Sequence, residues 1–185
     1  IIASIFIHRH TFLLKTLIWA IYDDVTDQNR LFKSPFPAVR YLISFTRYIL
    51  KTQISYLIEV IISFIDMYEL DVDAVNPSDP LTDSSFKNHV IELFWETLLQ
   101  ISETFPKTFY DISFEFNVYS ILNKQEGKSV SNPVKDLLLS EVIIPAMFDN
   151  LRKAITKNQK DCLNFVIKSI TLTAASNKDD EFSRI

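Results

Sequence analysis

Leu13, Leu14, Leu17, Ile18, Ile21 and Val25 recur at three- and four-residue intervals, the spacing of one helix face. Thr11 stands ahead of them as a cap. Residues 27–34 are polar and read as a connection. Pro35 and Pro37 then favour a helix start near Pro37, since proline suits a first turn whose N–H groups have no intrahelical partner. That helix carries Val39, Tyr41, Leu42 and Ile43 towards Leu50. A third run, Ile54, Leu57, Ile58, Ile61, Ile62 and Ile65, is wide enough to predict burial on more than one side. Residues 68–81 hold Pro77, Pro80 and a concentration of acids, and read as a loop.

Ser84 or Ser85 can cap a fourth helix that presents Val90, Ile91, Phe94, Trp95, Leu98 and Leu99, and Phe105-Pro106 ends it. A fifth is expected from Pro106 to about Asn123, with Phe109, Ile112, Phe116 and Tyr119 on one stripe. Residues 124–132 form a loop, and Pro133 opens the next helix. Pro145 predicts a kink or break there, because it removes one helical hydrogen bond and its ring collides with the carbonyl four residues back. The last helix runs over about 158–175, with Cys162, Phe165, Val166, Ile170 and Leu172 inward. Residues 177–185 read as an exit. No fixed-period repeat argues for a solenoid. The prediction is all-α: seven helices and two proline-rich loops in an irregular helical bundle, one domain over 1–185.

Composition sharpens the class. Gly127 is the sole glycine among 185 residues. Hairpin turns and phosphate-cradling loops need glycine, so sandwiches, barrels, P-loops and dinucleotide folds are all disfavoured. The net charge is −4, with no basic run of the kind that binds nucleic acid. Cys162 is alone, which leaves no disulfide framework or cysteine zinc site and fits a cytoplasmic protein. Ile1–Ile7 is apolar but is broken by His8, Arg9 and His10. It is too short to span a bilayer and has no small-residue cleavage site. The chain begins without Met and stops abruptly, so it reads as a fragment of a larger protein.

The residues that could do chemistry do not assemble into a catalytic pattern. His8 and His10, two apart, fall on different helix faces. His89 and Glu92 share a face but have no third ligand nearby. Asp66, Glu69, Asp71, Asp73 and Asp79 lack the central glycine and closing glutamate of a calcium loop. No serine has the glycines of a nucleophile elbow, and Cys162 sits in an apolar stripe. The fifteen Phe recur at helical spacing without interleaved basic residues, so they read as core rather than as a base-stacking array. No catalytic residue, metal site or cofactor is assigned.

Several segments, taken in order, resemble the Ras-GAP-related domain of the IQGAP family. Thr11-Phe-Leu-Leu-Lys-Thr-Leu17 resembles its opening helix, and Ser34-Pro-Phe-Pro-Ala-Val-Arg-Tyr-Leu-Ile-Ser-Phe-Thr-Arg47 its finger-loop region. The run from Ile54 to Ile65, followed by Tyr68-Glu-Leu-Asp-Val-Asp73, is similar to its long helix and acidic loop. Residues 101–109 are similar to the segment before its central helix. Residues 137–147, containing Ile144-Pro-Ala146, resemble the phenylalanine-leucine-arginine helix. Ala174-Ala-Ser-Asn-Lys178 resembles the last signature helix. The resemblance covers nearly the whole chain, and its Phe-, Ile- and Asn-rich composition fits a fungal source.

The resemblance implies a helical fold that clasps a small GTPase of the Rho/Ras superfamily. It also implies a parent scaffold that binds actin and calmodulin elsewhere and works in the cytoplasm at the cell cortex or division site. Catalytic relatives insert an arginine against the γ-phosphate, a contribution of about 10³–10⁵ in rate. Here the finger region reads Phe36-Pro37-Ala38, and Arg40 lies one helical turn on. The family's second arginine aligns with Glu141, and its later Lys and Gln fall near Ser169 and Leu172. The expectation is GTPase binding without acceleration, with Phe36, Pro37, Arg40, Arg47 and Glu141 as contact candidates. Two alternatives stay open. One is an active domain using Arg40, Arg47 or Arg30 as a displaced finger. The other is a helical interaction module with no GTPase partner.

Overall fold

The computed structural model of the chain describes residues 12–22, 28–33, 36–72, 84–122, 132–153 and 156–175. Among these there is no strand. The elements are α1 (Phe12–Tyr22), a 3-10 helix (Gln28–Lys33), α2 (Pro37–Ile49), α3 (Lys51–Val72), α4 (Ser84–Ser102), α5 (Lys107–Leu122), α6 (Pro133–Lys135), a π-helical segment (Asp136–Ile143), α7 (Ile144–Leu151) and α8 (Lys157–Ala175). The all-α helical prediction therefore holds. The chain packs as two units that interleave in sequence, Ile1–Leu50 with Pro106–Glu141, and Lys51–Phe105 with Val142–Ile185.

The first unit is built on aromatic residues. Leu14, Ile18, Ile21 and Tyr22 of α1, Leu31 of the 3-10 helix, Val39 and Leu42 of α2, Ile112 and Phe116 of α5, and Leu137 form one buried cluster. Tyr22 stacks on Tyr119 at 4.0 Å between ring centroids. Phe116 takes the edges of Tyr22 and Phe32, each at 5.7 Å. Such offset and edge-to-face pairs add roughly 0.5–1.5 kcal/mol beyond area burial. Leu31 and Phe32 explain why the expected connection at 27–34 is a helical turn: two adjacent apolar residues in a polar run anchor it on the cluster.

In the second unit α3 packs on α4, α7 and α8. Leu57, Ile61 and Ile65 of α3 are fully buried, as are Val90, Phe94 and Leu98 of α4 and Cys162, Leu163 and Val166 of α8. The wide Ile run thus faces several partners, as its pattern implies. Thr156 and Gln159 form a reciprocal capping box at the start of α8: the Gln159 N–H donates to Thr156 Oγ1 at 3.1 Å and the Thr156 N–H to Gln159 Oε1 at 3.3 Å. The same Gln159 amide donates to Asp66 Oδ1 of α3 at 2.7 Å.

Two further expectations are corrected. The helix α3 continues through 68–72, where a loop is expected, because the helix breakers come only at Pro77 and Pro80. Asp66 consequently lies on a helix, hydrogen-bonded to Gln159, while Asp73 and Asp79 lie outside the described residues. Leu172 is 73 % exposed, not inward. At about 100° per residue it falls nearly opposite Val166 and Ile170 on α8. The loop at 124–131, Thr11, Val25, His8 and His10 lie outside the described residues.

Pro145 changes the helix without ending it. Asn132 caps α6 through Oδ1, accepting from the Val134 and Lys135 N–H groups, and Pro133 holds the first position. The chain then winds as a π-helix over Asp136–Ile143 before α7 resumes the α form. In a regular helix the Glu141 carbonyl would take its bond from residue 145, which has no N–H. The wider turns come just before the proline and accommodate it.

Candidate functional site

The segment that resembles a finger loop is consumed in starting α2. Phe36 is the last residue before the helix, with φ −57° and ψ 129°, and its carbonyl accepts from the Val39 N–H at 3.1 Å. Its ring is half-buried and packs on the aromatic cluster of the first unit. Pro37 occupies the first helical position and is exposed. Arg40 lies inside α2 one turn on, also exposed, as expected. No positive side chain stands at Phe36-Pro37-Ala38.

The rest of α2 divides cleanly into two faces. Val39, Leu42 and Thr46 are buried. The Thr46 hydroxyl is satisfied within the helix by donating to the Leu42 carbonyl at 2.8 Å. Pro37, Arg40, Tyr41, Ser44, Arg47 and Tyr48 are exposed and fall within roughly a 120° arc opposite the buried set. Tyr41 stacks on Phe45 one turn on, centroids 6.0 Å apart.

Arg47 and Glu141, 94 residues apart, meet. The Arg47 Nε–H donates to the Glu141 backbone carbonyl at 2.7 Å, and this is the carbonyl whose α-helical donor would have been Pro145. An arginine side chain thus donates to a carbonyl near the end of the π-helical segment, four residues before the proline. The Glu141 carboxyl is pushed above its ordinary value. Burial is the main cause, the charges of Arg47 and Lys33 oppose it, and Asp136 adds to it. Two contact candidates, Arg47 and Glu141, thus form one local arrangement. Phe36, Pro37 and Arg40 sit along α2, and the side chain of Arg30 lies outside the described residues.

Of the other candidates, Cys162 is buried in α8 and His89 and Glu92 are exposed on α4. Among the described residues no three metal-ligating side chains come together. No single described helix is long and apolar enough to cross a membrane.

The sequence pattern groups Tyr41 with the apolar positions Val39, Leu42 and Ile43, yet it is exposed, and it does not single out Tyr48, which is exposed as well. The signal was present: Arg40-Tyr41 and Arg47-Tyr48 are one dipeptide repeated at seven residues. Also overlooked was charge segregation. Residues 28–58 carry Arg30, Lys33, Arg40, Arg47 and Lys51 and no acid, so in a chain of net charge −4 the remainder stands at −9.

No family model matches the chain, no curated protein matches it, and no solved structure matches it.

Proposed function

We propose that this chain is a non-catalytic docking module that binds a small GTPase through the outer face of α2. The observation that carries the reading is that face itself, where Arg40, Tyr41, Arg47 and Tyr48 are exposed together on a helix free of acids. A basic and aromatic surface of this kind steers and holds an acidic protein partner. The choice of a GTPase rests on the resemblance of residues 34–47 to a GAP finger region. The lack of acceleration follows from charge: Phe36-Pro37-Ala38 offers no cation to a γ-phosphate, and Arg47 already holds the Glu141 carbonyl.

A panel of GTP-loaded small GTPases, assayed for both retention and single-turnover hydrolysis, tests this. Retention of at least one GTPase with an unchanged hydrolysis rate is expected. A rate gain lost in R40A or R47A would establish the displaced-finger alternative instead. A helical interaction module with no GTPase partner is the second reading. The packing of Phe36 into the core favours it, since that residue is spent on folding. The absence of retention across the panel would select it.

A further inference from the structure

We propose that the outer face of α2 receives an acidic helix whose carboxylates, seven residues apart, pair with Arg40 and Arg47, while apolar side chains between them cover Tyr41 and Tyr48. This rests on the docking reading of α2, though not on the partner being a GTPase.

Spacing is the first argument. Seven residues advance a helix by about 10 Å and return close to the same face. The two Arg-Tyr pairs therefore repeat along one line, and a second helix laid along α2 meets them in register at the same seven-residue period. A flat or irregular anionic surface gains nothing from that repeat.

Charge is the second. Arg40 is exposed, and no ion pair or hydrogen bond to its side chain is found among the described residues. The one hydrogen bond recorded for the Arg47 side chain uses Nε and ends on a neutral carbonyl. Its position is held by that bond, and the acid beside it is the half-buried carboxyl of Glu141, whose burial works against ionisation. An arginine held this way loses less side-chain freedom when a carboxylate arrives.

Exposed ring surface is the third. Tyr48 is 77 % exposed and Tyr41 59 %, on a helix whose opposite face is fully packed. Tyrosine provides broad contact area with few rotors to immobilise. The acid-free stretch around the face suppresses cationic partners, and the excess negative charge elsewhere in the chain repels non-specific polyanions.

The test titrates the full chain against four probes by fluorescence anisotropy. They are a synthetic helical peptide with glutamates seven apart and leucines between, its glutamine counterpart, a peptide with the glutamates five apart, and phosphatidylserine vesicles. The seven-spaced peptide should bind and weaken with salt. R40A and R47A should each weaken it about fivefold, the scale of one exposed charge pair, and Y41A/Y48A about tenfold. Arg40 is exposed and makes no side-chain hydrogen bond among the described residues, so R40A tests the surface charge apart from the Arg47–Glu141 bond. Equal binding of the five-spaced peptide, of the glutamine peptide or of the vesicles overturns the proposal. The same variants run against the GTPase panel separate the two readings. GTPase retention without peptide binding sinks the acidic-helix inference alone, and peptide binding without GTPase retention sinks the GTPase reading alone.

Discussion

The bond from Arg47 to the Glu141 carbonyl should be energetically coupled to Pro145. A hydrogen bond with a charged donor contributes about 1.5–3 kcal/mol in general. The Arg47 side chain is exposed, which brings the expectation down to about 1–2 kcal/mol for R47A. P145A supplies a backbone N–H at residue 145, which an α-helical turn in place of the π-helical one would aim at the Glu141 carbonyl. In the P145A background R47A should then cost less, leaving a coupling of about 0.5–1 kcal/mol. For a chain of this size R47A corresponds to a fall of about 2–8 °C in Tm. The assay is urea denaturation of the four proteins of the cycle, followed by far-ultraviolet circular dichroism. If the two substitutions add to within about 0.3 kcal/mol, the carbonyl does not depend on Arg47 in place of the proline N–H, and the account of this site is wrong.

Three further outcomes follow from named contacts. E141Q should stabilise the chain at pH 7 and have little effect at pH 3.5. Burial raises the folded carboxyl's pKa, so the native state binds the proton more tightly than the unfolded chain, and stability falls as pH rises through that raised value. Thermal melts at the two pH values measure this, and an effect of the opposite sign counts against it. Q159A should cost about 2 kcal/mol, because it removes half of the capping box and the donor to Asp66 together, whereas Q159E should recover the box but not the bond to Asp66. F116A should cost about 3–5 kcal/mol, since Phe116 is fully buried between Tyr22 and Phe32.

The helices were legible because their signals are local. Proline at position 37 sets the start of α2 wherever the helix comes to rest, and Phe109, Ile112 and Phe116 predict the inner face of α5 from spacing alone. The scarcity of glycine weighs against sheet folds from composition alone. What sequence pattern handled poorly was extent and facing at the ends. The helix α3 runs to Val72 because acidic residues do not break a helix by themselves, and Leu172 points outward because the local period outweighs its hydrophobicity.

The site divides along the same line. Arg40, Arg47 and Glu141 stood out only through the family resemblance, whereas the Arg-Tyr repeat is written in the chain itself once α2 is drawn as a helix. That Arg47 donates to the carbonyl of Glu141, and that the chain between Asp136 and Ile143 winds as a π-helix, was decided by tertiary structure. A backbone carbonyl carries no residue identity, so no pattern of side chains 94 positions apart can announce that it needs a donor. Pro145 states locally that an N–H is missing. Only the folded first unit, which brings α2 beside the turn at Glu141, determines which side chain reaches that carbonyl.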